Sequence, residues 1–153
     1  MSLLSMVATF FALTNAVGPF TINMFHPDAE ISYLEDLKSN PACESVPNDG
    51  YICKNAFSHI LGVRPKASRL IVSQNRYARF YFSSDHSDFA KISDAMVAKL
   101  GRPSMTKTIR LTDENSGNGL SSVKQTWNLK SGQLVLTERS YLSDQFSFRF
   151  SRH

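Results

Sequence analysis

The sequence predicts an α+β domain in which an antiparallel β meander packs against two or three helices, with one disulfide. Three observations carry that expectation. Apolar and polar residues alternate through most of residues 107–151, the period of strands with one buried face. Residues 88–100 instead place Phe89, Ile92, Met96 and Leu100 at helical spacing and close on Gly101. Cys43 and Cys53 flank Pro47-Asn48-Asp49-Gly50, a turn sequence that folds the chain back on itself.

A chain of 153 residues is sized for one domain, or for two small half-domains sharing one sheet. Apolar residues at 42% and charged residues at 20%, with eleven Phe and five Tyr, exclude a disordered chain. No linker divides the sequence, so residues 19–153 are expected to form a single domain. The net charge of +4 suits attraction to anionic partners, but no run of five or six basic residues occurs, and no nucleic-acid partner is expected.

Residues 1–18 read as a signal peptide. The apolar stretch at residues 3–13 has the length of a signal-peptide core, and the small residues Thr14, Ala16 and Gly18 follow it. Cleavage after Ala16 or after Gly18 fits. The basic residue that usually precedes such a core is missing, so an uncleaved membrane anchor and a buried first helix of a cytosolic domain stay open as other readings. An anchor would want basic flanks on its cytoplasmic side, and neither flank has any. The expected location is periplasmic or secreted, with membrane contact only if the segment is retained.

Phe20, Ile22 and Met24 alternate with Thr21 and Asn23 and predict an opening strand. Pro27 suits the first position of a helix, acidic Asp28 and Glu30 suit its positive end, and Ile31, Leu34 and Leu37 predict a helix over 27–39. The cysteine loop follows, and a disulfide closing so short a loop contributes about 2 to 3 kcal/mol in the chain-entropy model. A metal pair and two free thiols are the rival readings. Structural zinc asks for four ligands and closer Cys pairs, and the four His (26, 59, 86 and 153) show no ligand spacing.

Ala56, Phe57, Ile60 and Leu61 fit one face of a short helix closing at Gly62. Residues 68–83 predict two strands. Placing Leu70 and Val72 on the same face as Ala78, Phe80 and Phe82 requires an odd loop, most simply Gln74-Asn75-Arg76. The other face then carries Arg69, Ile71, Ser73, Tyr77, Arg79 and Tyr81. Ser87 is a candidate cap for the next helix, which ends at Gly101 before Pro103. Strands are predicted over 107–112, 122–129, 134–142 and 146–151. A Ser131-Gly132 turn would set Trp127 opposite Leu136, and a turn at 143–145 would put Phe146, Phe148 and Phe150 on the same face, with Ser147, Arg149 and Ser151 outward. A helix followed by antiparallel strands thus occurs twice as a theme.

No set of residues reaches the standard of an active site. Asp113-x-Asn115 begins like a calcium loop but holds Asn118 where glycine is required and Lys124 where a bidentate Glu is required. Ser58 and His59 are adjacent, and neighbours on a helix point in different directions. Glu35-Asp36 and Asp113-Glu114 sit where solvated charges are expected. The expectation is no catalysis, no cofactor and no metal. The most informative cluster is Arg69, Tyr77, Arg79 and Tyr81, since cations and aromatic rings together hold an anionic chain or form a protein hot spot.

The stretch DFAKISDAMVAKLGRPSM, the polar loop after it and the strand bearing Trp127 resemble small bacterial envelope proteins that pair a helix ending in Lys-x-Gly-x-Pro with an antiparallel meander. With the cysteine pair the similarity covers 20–152. The layout is also similar to the helix-plus-meander modules of β-lactamase inhibitor proteins and of outer-membrane assembly lipoproteins, although the lipid-bearing Cys is absent. The resemblance implies an exported protein that binds another protein, as an inhibitor, immunity or envelope-assembly factor. An anionic envelope polymer, a glycan or lipid held by the Arg and Tyr face, is the alternative ligand, and a small hydrolase ranks third.

Overall fold

Alternating side chains organise most of this chain into one sheet. The structure is a computed structural model that describes residues 20–22, 25–28, 31, 33–48, 50–112, 119–139 and 144–153. In chain order the elements are β1 (Phe20–Ile22), α1 (Leu34–Ser39), β2 (Cys43–Val46), β3 (Gly50–Lys54), β4 (Phe57–Ile60), β5 (Ala67–Ser73) and β6 (Arg76–Asp85). A 3-10 turn (His86–Asp88) then leads into α2 (Phe89–Leu100), followed by β7 (Met105–Thr112), β8 (Gly119–Asn128), β9 (Gly132–Thr137) and β10 (Gln145–Arg152).

Eight strands form one sheet in the order β2-β3-β5-β6-β10-β9-β8-β7, and every neighbouring pair is antiparallel. The order resolves into two four-stranded meanders, β2-β3-β5-β6 and β7-β8-β9-β10, each preceded by a helix and joined where β6 meets β10. β1 and β4 form a separate parallel pair. The expected α+β class with two or three helices is therefore corrected to a predominantly antiparallel β fold. Among the described residues only two α-helices occur, and α1 is six residues long.

Two expected helices account for the difference. Phe57–Ile60 form β4, because Phe57 and Ile60 are both buried and the chain then turns at Leu61 and Gly62, whose φ angles are positive. A short apolar run satisfies strand and helix templates equally, and pairing with β1 decides it. The helix expected over 27–39 is reduced to Leu34–Ser39, since Pro27 and Asp28 form a turn and the Ile31 N–H donates to Asn75 O in the β5–β6 turn. The opening strand is present as Phe20–Ile22; Asn23 and Met24, the calcium-like residues 113–118 and the apolar segment 3–13 lie outside the described residues.

The β5–β6 hairpin corrects the loop that the sequence suggests. Gln74 and Asn75, both at positive φ, form a two-residue turn with Ser73 opposite Arg76 and Val72 opposite Tyr77. One extra residue, Ala78, then interrupts the ladder, so that Ile71 opposes Arg79 and Leu70 opposes Phe80. The odd offset demanded by the apolar pattern is met by a bulge instead of a three-residue loop. As a result Tyr77 faces the core and not the solvent. In the β8–β9 hairpin the turn is Lys130-Ser131, which opposes Trp127 to Leu134. The expected Leu136 partner is displaced by two positions, which leaves every face unchanged.

One face of the sheet carries Leu70, Val72, Phe80, Phe82, Trp127, Leu134, Leu136, Phe146, Phe148 and Phe150, all buried. Ile22, Phe25, Leu37, Phe57, Ile60, Val63, Ile92 and Met96, drawn from the β1–β4 pair and both helices, share this core. Phe25 is its hub, meeting Tyr77 at 4.8 Å and Phe148 edge-on at 5.3 Å between ring centroids. The end of α2 is held by Gly101, whose positive φ lets its carbonyl accept the Trp127 Nε1–H at 2.9 Å. Cys43 and Cys53 oppose each other on β2 and β3 and are joined by a disulfide.

Candidate binding face

The opposite face of the same strands holds a continuous cross-strand row. Lys54 on β3 opposes Arg69 on β5, Arg69 opposes Tyr81 on β6, and Tyr81 opposes Arg149 on β10. The row continues through Val135, Thr126 and Met105. A second row runs through Ile52, Ile71, Arg79, Ser151 and Gln133. Alternation forces this separation: on β5, β6 and β10 each of these residues is the sequence neighbour of a core residue, so Arg79, Tyr81 and Arg149 are turned outward by Phe80, Phe82, Phe148 and Phe150.

Arg69, Arg79 and Arg149 are exposed, and Tyr81 is partly covered. The Arg149 guanidinium lies over the Tyr81 ring, 5.9 Å from its centroid, a cation–π contact that restricts the cation without neutralising it. Among the described residues no carboxylate forms an ion pair with Lys54, Arg69, Arg79 or Arg149. Between them is an open depression of about 450 Å³, lined by Arg69, Ile71, Arg79, Tyr81, Arg149 and Ser151, above Phe80 and Phe150, whose rings are buried on the opposite face. A second depression of about 840 Å³ adjoins it, shares Ile71 and Arg79, and adds Arg76, Arg152 and His153. Among the described residues neither is lined by an Asp or Glu side chain. Arg152 differs from the others, since its Nε–H donates to Tyr77 O at 2.6 Å and its Nη2 donates to Pro27 O.

Of the four residues that the sequence singled out, the structure brings together Arg69, Arg79 and Tyr81 and removes Tyr77. Tyr77 is buried, with its hydroxyl against that of Tyr33. Burial pushes Tyr77 up to about 12, partly offset by the Tyr33 hydrogen bond, and burial likewise raises Tyr33. Arg149 and Lys54 join the face in its place. The Phe alternation already turns Arg149 outward, but nothing local says that β10 lies beside β6.

A second polar cluster ties the far end of the sheet. His86 Nε2–H donates to Glu138 Oε1 at 3.0 Å, the Arg139 Nη2–H donates to His86 Nδ1 at 3.4 Å, and Arg139 also pairs with Asp144. Glu138 Oε2 accepts the Val123 N–H at 2.9 Å. The His86 hydrogen bond is the largest influence holding the Glu138 carboxyl below its ordinary value. Both imidazole nitrogens meet a partner, and the cluster ties the 3-10 turn to the segments around β9 and β10. Ser58 Oγ and His59 Nδ1 approach to 3.3 Å on β4, and among the described residues no carboxylate pairs with His59. No group of three or more His, Cys, Asp or Glu among the described residues can hold a metal ion.

No protein-family model matches the chain, and neither a curated protein nor a solved structure matches it.

Proposed function

We propose that this chain is an exported, non-catalytic domain that binds another protein through the open face of its sheet, as an inhibitor, immunity or envelope-assembly factor would. The observation that carries the reading is the row Lys54–Arg69–Tyr81–Arg149, whose cations have no ion-pair partner among the described residues and surround an aromatic ring on the face opposite the core. Arg and Tyr are the residues that most often supply binding energy at protein interfaces. The Cys43–Cys53 disulfide supports export, because such bonds persist in oxidising compartments. No helix among the described residues is long and apolar enough to cross a membrane. The resemblance to inhibitor and assembly modules points the same way.

Charge reversal at two positions tests the reading. Wild-type chain and an Arg69→Glu/Arg149→Glu variant, both immobilised, are exposed to envelope extract; a protein retained by the first and lost from the second supports it. Identical retention by both would reject the open face as the binding surface. Mass spectrometry of the native protein tests export: loss of residues 1–16 or 1–18 with an oxidised cysteine pair is expected, and reduced thiols in a chain that keeps those residues overturn it. A glycan or lipid ligand is the second reading, favoured by the lack of acidic side chains around both depressions among the described residues.

A further inference from the structure

Resting on that reading, we infer that the anchor of the open face is a carboxylate clamp: Arg69, Arg79 and Arg149, set around Tyr81, receive two acidic side chains of an extended partner segment. The spacing carries the argument. Arg69 and Arg149 oppose Tyr81 from its two sides, so their backbones lie about 10 Å apart, and Arg79, two residues along β6 from Tyr81, is the diagonal neighbour of both, about 8 Å from each. In an extended segment, side chains two residues apart share one face and are separated by about 7 Å. Three guanidinium forks around one ring therefore match the repeat of alternate acidic residues, each fork able to take a carboxylate through two parallel hydrogen bonds.

The surroundings select a protein over a polyanion. Ile71 and the Tyr81 ring line the depression together with Ser151, so a ligand meets apolar surface as well as cations. Acidic side chains bring methylene stems to that surface, whereas a phosphodiester or sulfated chain presents charge all along its length. Beyond Arg149 the row loses its charge and becomes Val135, Thr126 and Met105, the last 55% exposed. Lys107 and Lys124 resume positive charge only one row away. A protein segment that is acidic over a few residues and apolar beyond them fits this pattern.

Fluorescence anisotropy with a labelled poly-glutamate peptide at low salt is the test, with unlabelled heparin and phosphatidylglycerol vesicles as competitors. We expect binding that weakens steeply as salt rises, and a tenfold to hundredfold loss, roughly that of one charge-assisted hydrogen bond, in Arg69→Gln/Arg149→Gln. Arg102→Gln, beyond the end of α2, should stay within about twofold of wild type. No binding at low salt, equal binding by the double variant, or tighter competition from heparin or vesicles at matched charge overturns the clamp. If the clamp fails while the charge-reversed variant still loses a protein partner from extract, only the carboxylate assignment falls; if both fail, so does the binding face.

Discussion

The two faces of the sheet are built from the same strands and have opposite chemistry. On β6 and β10 the inward residues are Phe80, Phe82, Phe146, Phe148 and Phe150, each without measurable exposure, and the outward ones are Arg79, Tyr81, Ser147, Arg149 and Ser151. A period of two is enough to separate them, so the core and the charged face are encoded in alternate positions of one segment. The packed face is crowded with rings that fix one another, and a change there is felt throughout the core. On the open face the side chains carry charge that costs the fold little, and a change there should alter only what binds.

Four experiments break or sharpen that contrast. Phe148→Ala empties the centre of the packed face and should cost about 3 to 5 kcal/mol, read from the midpoint of urea unfolding, while the molecules that remain folded keep their poly-glutamate affinity. Replacing both Cys43 and Cys53 with Ser should cost about 2 to 3 kcal/mol, and because Cys53 lies on the packed face, this loss too should leave open-face affinity intact.

Glu138 adds a dependence on pH. Its folded pKa lies below the ordinary value of 4.5, so it contributes stability that is present above that value and is lost as pH falls through the folded pKa. The difference in melting temperature between wild type and Glu138→Gln should therefore be largest near neutrality and shrink as pH drops below about 4.5; a constant difference would show that the carboxylate charge contributes nothing. Arg79→Gln, smallest of all, should shift stability by less than about 0.5 kcal/mol and still weaken poly-glutamate binding. A large stability loss there would end the division of labour between the faces.

Much of this division was legible in the sequence. Phe146, Phe148 and Phe150 announce a buried face, Arg69, Arg79 and Tyr81 fall on the opposite one, and Cys43 and Cys53 pair across their turn. What was hidden had local or distant causes. Gln74 and Asn75 can close a two-residue turn, and only the bulge at Ala78 reveals that Tyr77 belongs to the core; composition does not distinguish a longer loop from a shorter loop plus a bulge. Residues 57–60 are too short for periodicity to separate strand from helix, and their pairing with 20–22 depends on a contact nearly forty residues away. The site was incomplete for the same reason. Arg149 completes the group around Tyr81 only because β10 inserts beside β6, and strand order in a sheet leaves no trace in the spacing of either strand.

That insertion has a consequence in time. β10 follows every other strand in the sequence, yet it lies in the middle of the sheet, between β6 and β9. While the chain is being made, the first meander has β6 as a bare edge, with Phe80 and Phe82 lacking Phe148 beside them. The second meander equally lacks its inner strand. The two halves can close into one core only after this strand emerges, and the three arginines around Tyr81 assemble only with that step.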